Sequence, residues 1–169
     1  MYSLNIPVPT AVATLAGELT RELPGARARP RGEHTLGVKR LGVGKDVAYS
    51  RLETQVRELL AGQPAFQVRV TSIEYFPDAP RGPSPVVYLA VDSPPLVELH
   101  RKLADIFEPI EGIEGEGYVP HVTVARGGSP EMATRLAQRE IEPIRWDVTE
   151  LVFWDAERNQ PVSRLSLPA

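Results

Sequence analysis

Cysteine is absent from the 169 residues, which excludes a disulfide framework, a thiolate zinc site and a cysteine nucleophile. No window approaches the roughly 18 consecutive apolar residues of a membrane span. The start, MYSLNIPVPT, lacks the basic segment and long apolar run of a secretory signal, so a cytoplasmic location without a membrane partner is expected. Positive charge is not in excess either: the formal net charge is −3 and the pI about 5.7. That balance argues against coating duplex nucleic acid and leaves room for a local basic pocket. Histidine occurs only three times. Lysine is much rarer than arginine, whose planar fork suits bidentate contacts to phosphate.

Hydrophobic residues at 42% and charged residues at 24% are the balance of an ordinary globular protein. One folding unit over residues 1–169, expected as a monomer, is long enough for one sizeable core. YSLNIPV alternates as a strand, and TAVATLAGELTREL carries Val12, Leu15, Ala16 and Leu19 at helical spacing. HTLGVKRL reads as a strand and GVGKD as a turn. A helix is then expected from about Asp46, with Asp46 as N-cap and Ala48, Leu52, Val56, Leu59 and Leu60 in its stripe. FQVRVTSIEYF and VVYLAV are strands separated by the breaker PDAPRGPSP. The order closes with the helix PPLVELHRKLADIF, a solvated hinge EGIEGEG, the strand HVTVAR, a helix opened by Ser129 and Pro130, and two strands, RWDVTELVFW and VSRLSLP.

That order repeats itself. Leu4, Ile6 and Pro9 match Leu89, Val91 and Pro94 at an offset of 85 (89 − 4), and His34 matches His121 at 87 (121 − 34). The halves, about 1–76 and 85–167, each run strand, helix, strand, and VTSIEYF resembles VTELVFW. Such a repeat predicts a pseudo-twofold α+β fold with one histidine from each half meeting in a shared cleft.

In HVTVAR a period of two puts His121, Thr123 and Ala125 on one face and Val122 and Val124 on the other. An imidazole and a hydroxyl then stand within reach of one small anion. Arg126 adds positive charge at the strand end, and Tyr118 is placed to close one wall. Alone, His121 reads equally well as a surface histidine on a wet antiparallel face. His34, at the start of the corresponding strand and followed by Thr35 and Lys39, shifts the balance toward a site.

With these two histidine segments the chain resembles the 2H phosphoesterase superfamily, defined by two His-x-Thr/Ser motifs, and within it the 2'-5' RNA ligase and RNA 2',3'-cyclic phosphodiesterase proteins. The resemblance implies two mostly antiparallel sheets flanking a central cleft with helices outside. It implies hydrolysis of RNA 2',3'-cyclic phosphate ends to a 2'-phosphate, and reversible 2'-5' ligation, without metal or cofactor. It assigns His121 as base and His34 as acid, or the reverse, with Thr123 and Thr35 on the phosphate. Single-stranded RNA ends or small cyclic nucleotides are the implied partners. HVTV at 121–124 fits the motif; HTLG at 34–37 departs from it, with Leu36 at the standard threonine position. Either a bulge re-aims His34 or Thr35, or only one of them faces the cleft. If Leu36 and Val38 take the core face, Lys39 faces the cleft as a phosphate ligand.

Opening a cyclic phosphodiester needs a base for water and an acid for the leaving sugar oxygen, and a pair of imidazoles divides those roles near neutral pH. Tyr75, Phe76 and Trp154 join Tyr118 as aromatic candidates, although aromatics near strand ends are more often core. LGVGKD lacks the full spacing of a phosphate-binding loop, His100 reads as a helix-edge residue, and no His or carboxylate spacing forms a metal cage. Two rival readings stand beside the RNA phosphodiesterase: an enzyme for a small cyclic nucleotide or nucleotide-sugar cyclic phosphate, and a non-catalytic module binding phosphate or RNA ends.

Overall fold

The computed structural model describes residues 1–30, 32–42 and 48–169. The expected turn beyond Gly42 and the Asp46 cap lie outside the described residues. Among the described residues the strands are β1 (Tyr2–Pro7), β2 (Ala26–Ala28), β3 (Thr35–Arg40), β4 (Phe66–Phe76), β5 (Val86–Asp92), β6 (His121–Gly127), β7 (Ile144–Val148), β8 (Glu150–Asp155) and β9 (Gln160–Ser166). The helices are α1 (Thr10–Thr20), α2 (Tyr49–Leu59), α3 (Pro94–Ala104) and α4 (Pro130–Ala137). Two helix starts are set by local chemistry. Ser93 and Ser129 accept the backbone N–H of Leu96 and Met132 at 3.3 and 3.4 Å, each followed by proline in the first turn.

The architecture is the expected α+β one. Two antiparallel layers, β7-β4-β5-β6 and β3-β1-β8-β9, curl around a cleft, and β2 adds to β6. The layers meet where Leu36 pairs with Val122, so one path runs through all of them. Both residues are fully buried, in a core that also holds Leu4, Ile6, Leu89 and Phe153. No helix among the described residues is long and apolar enough to cross a membrane.

The lobes are not the two halves of the sequence. β4 pairs with β5, and β8 pairs with β1, so each half lends its closing strand to the other lobe. RWDVTELVFW is therefore two strands rather than one. β7 extends β4, β8 extends β1, and Thr149 between them makes the crossing, its carbonyl accepting Leu167 N–H at 2.8 Å.

EGIEGEG is not a solvated hinge. Glu114 within it is buried, and its carboxylate accepts Lys39 Nζ at 3.0 Å, Arg40 N–H at 2.8 Å and Ile110 N–H at 3.0 Å. His100 is wholly buried rather than at a helix edge. Its Nε2 accepts Gly115 N–H at 2.8 Å, which fixes the proton on Nδ1, and Nδ1–H donates to the Val38 carbonyl at 2.7 Å. Tyr118 stacks on the His100 ring at 3.8 Å and donates its hydroxyl to the Gly37 carbonyl at 2.7 Å. Gly37, Val38, Lys39 and Arg40 are thus each fastened by the segment from His100 to Tyr118.

Candidate active site

Two bulges shape the cleft. In the β1–β3 ladder Asn5 faces Gly37 but Leu4 faces Lys39, leaving Val38 as an extra residue. In the β5–β6 ladder Tyr88 faces Thr123 but Val87 faces Ala125, leaving Val124 as the extra one. A bulge puts two successive residues on one side and reverses the alternation beyond it. Val38 and Lys39 are both buried, as are Val124 and Ala125. Arg40 and Arg126, which strict alternation would turn to the core, instead line the cleft.

Superposing the bulges relates the strands by an offset of 86 (124 − 38). That offset carries Leu36 onto Val122, the two residues that pair with each other, so the pseudo-twofold axis passes through that pair. The same step carries Thr35 onto His121, Gly37 onto Thr123 and Arg40 onto Arg126. Antiparallel register beside the axis sets Thr35 against Thr123 and Gly37 against His121. The cleft, of about 530 Å³, is lined by Thr35, Gly37, His121 and Thr123 together with Arg29, Arg40 and Arg126.

His121 donates Nδ1–H to the Val119 carbonyl at 2.6 Å, which leaves Nε2 as the basic nitrogen. Its ring meets Phe76 and Tyr88 edge-on at 5.5 and 5.4 Å. Burial lowers its pKa most, and the guanidiniums of Arg126, Arg40 and Arg29 lower it further, against the opposing pull of the Val119 bond. The imidazole is therefore neutral at neutral pH, the form that accepts a proton. Arg126, also depressed by burial and by Arg29 and Arg40, donates Nη1 to the Arg81 carbonyl at 3.0 Å.

The cleft brings together Thr35, Thr123, His121, Arg126 and Tyr118 of the residues expected from the sequence. His34 requires a correction. It is 8% exposed, both ring nitrogens are buried without a hydrogen-bond partner, and it does not line the cleft, whereas its neighbours Glu33 and Thr35 do. Burial and Arg29 lower its pKa, so the ring sits neutral and uncharged in its pocket. Lys39 is the second correction. It also stands on the cleft wall, but its side chain has no exposure and Nζ is taken by the Arg40 and Glu108 carbonyls and Glu114, so its ammonium is not turned toward a phosphate there. Phe76 and Trp154 reach the cleft, while Tyr75 packs on the core and its hydroxyl accepts from Thr134. Arg29, Arg40 and Glu33 were not expected. Only the parity reversal at Val38 reveals Arg40.

A family model described as the 2'-5' RNA ligase superfamily matches residues 36–160. No curated protein matches the chain. Among solved structures, TT0787 of Thermus thermophilus superposes with a TM-score of 0.69 at 16% identity, covering 98% of this chain and 97% of that one. E. coli LigT complexed with 3'-AMP gives 0.65 at 20% identity, covering 98% and 96%. E. coli LigT complexed with NADP+ gives 0.62 at 17%, covering 99% and 98%.

Proposed function

The chain belongs to the 2'-5' RNA ligase superfamily, and from that membership we propose that it is a phosphoesterase opening the 2',3'-cyclic phosphate of a nucleotide or short RNA end, with His121 as its base. The observation that carries this is His121, its Nδ1 fixed by Val119, beside two threonine hydroxyls and three guanidiniums in one cleft. Water attacks phosphorus, Nε2 of His121 takes its proton, and the bond to the leaving sugar oxygen breaks with the electron pair on that oxygen, which takes a proton from a second water. Thr35, Thr123, Arg40 and Arg126 hold the non-bridging oxygens as charge develops on them. Phe76, Trp154 and Tyr118 supply walls for a base, since RNA ends are gripped by stacking on aromatic faces. That E. coli LigT was crystallised with 3'-AMP supports a nucleotide as occupant. In 2'-5' ligation a 5'-hydroxyl takes the place of the water, its proton passing to Nε2 of His121 in the same way.

The test is turnover of a short RNA ending in a 2',3'-cyclic phosphate, in EDTA, by wild type and His121→Ala. Loss of a general base lowers the rate about 10²–10⁴-fold, and an unchanged rate in the variant refutes the assignment. A second reading, binding of phosphate or RNA ends without turnover, is favoured by Thr35 standing where the pseudo-twofold calls for a second histidine. Tight binding of the same RNA by an inert wild type supports that one.

A further inference from the structure

Resting on the phosphoesterase reading, we infer that the cleft works best on a nucleotide phosphoanhydride, a pyrophosphate linkage, whose leaving oxygen departs without a proton. The twin bulges carry the first half of the argument. Thr35 is the equivalent of His121, so the partner imidazole is missing from the cleft. The other two histidines are accounted for elsewhere. His34 is buried off the cleft, and His100 has both nitrogens engaged in fastening β3. The cleft holds a base for water and no imidazolium for the leaving group.

That asymmetry selects among substrates by their leaving groups. A sugar hydroxyl is far too weak an acid to leave as an anion at neutral pH and needs a proton donor. A phosphate monoester, with its second ionisation at about 6, leaves as a stable anion. What such a departure needs is fixed positive charge, and the cleft has it. Arg29, Arg40 and Arg126 stand close enough for the first two to depress the third, and none of the three is in an ion pair among the described residues. Like charges gathered in this way are relieved by a ligand carrying more than one negative charge. Glu33 and Asp78 also line the walls, and Glu33 is the one carboxyl beside Thr35 able to stand in as an acid.

The step balances without a further reagent. Water oxygen bonds to one phosphorus of the linkage while its proton passes to Nε2 of His121. The bond from that phosphorus to the bridging oxygen breaks with its electron pair on the oxygen. Two phosphomonoesters result, the departing one held by the arginines, and His121 releases its proton to solvent.

The experiment compares kcat/KM on two adenosine substrates in EDTA: P1,P2-di(adenosine) diphosphate, in which phosphate leaves, and adenosine 2',3'-cyclic phosphate, in which a sugar oxygen leaves. Wild type is expected to prefer the anhydride, and Thr35→His, which restores the missing acid, to shift the ratio at least about tenfold toward the cyclic phosphate. His34→Leu is expected to leave both rates unchanged. Turnover of the cyclic phosphate alone keeps the phosphoesterase reading and overturns this inference. So does loss of that turnover in Glu33→Gln, which would identify a carboxylic acid in the missing role, or in His34→Leu. Turnover of neither substrate overturns both readings.

Discussion

Removing the Glu114 carboxylate tests the fastening of β3 most directly. Glu114→Ala leaves Lys39 with a side chain of no exposure and no counter-charge, and strips the acceptor from Arg40 N–H and Ile110 N–H. Breaking one partner of a buried ion pair destabilises by about 3–5 kcal/mol, because the surviving charge stays out of water. For a chain of this size that corresponds to a fall in Tm of roughly 6–20 °C, at about 2–4 °C per kcal/mol. The measurement is urea unfolding of wild type, Glu114→Ala, Lys39→Met and the double variant. Replacing both members by apolar groups is often neutral, so the double variant should recover most of the loss. The pH dependence has a fixed sign: the three hydrogen bonds and Lys39 hold the Glu114 pKa below its ordinary value despite opposing burial. Its contribution is present above the unfolded carboxylate pKa and is lost as pH falls through the depressed folded value. A cost under about 1 kcal/mol for Glu114→Ala, or strict additivity in the cycle, would refute the reasoning.

The histidines give a second pH effect. Burial lowers the pKa of His34, His100 and His121, so the unfolded chain binds more protons below about 6.5 and stability falls with pH there, by about 1.4 kcal/mol per pH unit for each proton taken up. A urea midpoint unchanged between pH 7.5 and 5.5 contradicts it. His34→Leu, which removes two buried unpartnered nitrogens, should be neutral or stabilising in the same assay, since an unsatisfied buried polar group costs about 1–3 kcal/mol. Ser93→Ala and Ser129→Ala each remove an N-cap and should cost about 0.5–2 kcal/mol; Ser93 should lie higher because its hydroxyl also donates to the Gln67 carbonyl.

Much of the fold is written in local pattern. α1, α3 and α4 stand where apolar spacing and the serine–proline starts put them, and β4, β5 and β6 form where the apolar and β-branched runs lie. RWDVTELVFW carries its division in the pattern: the alternation of Trp146 and Val148 ends at Thr149 and Glu150, and a continuous apolar run from Leu151 to Trp154 follows, so reading one strand passed over a change of phase. EGIEGEG failed for a different reason. Glycines and acids read as solvated, yet Glu114 finds its partner Lys39 75 residues away in sequence, and composition holds no record of such a partner.

The same distant pair hid the form of the site. A bulge announces itself as two buried residues in succession, and in β6 the doublet Val124–Ala125 is apolar and visible once looked for. In β3 the equivalent doublet is Val38–Lys39, and a lysine in second place looks like a return to the exposed face. With the bulge concealed, the Lys39 ammonium falls on the cleft and Arg40 on the core, whereas Nζ is buried against Glu114 and Arg40 lines the cleft. The repeat then anchors on the visible histidine, giving His34 against His121, when the frame fixed by the bulges is one residue further on, at Thr35. A buried cation neutralised from another element thus moved the reading frame of the whole motif, and with it the number of imidazoles assigned to the cleft.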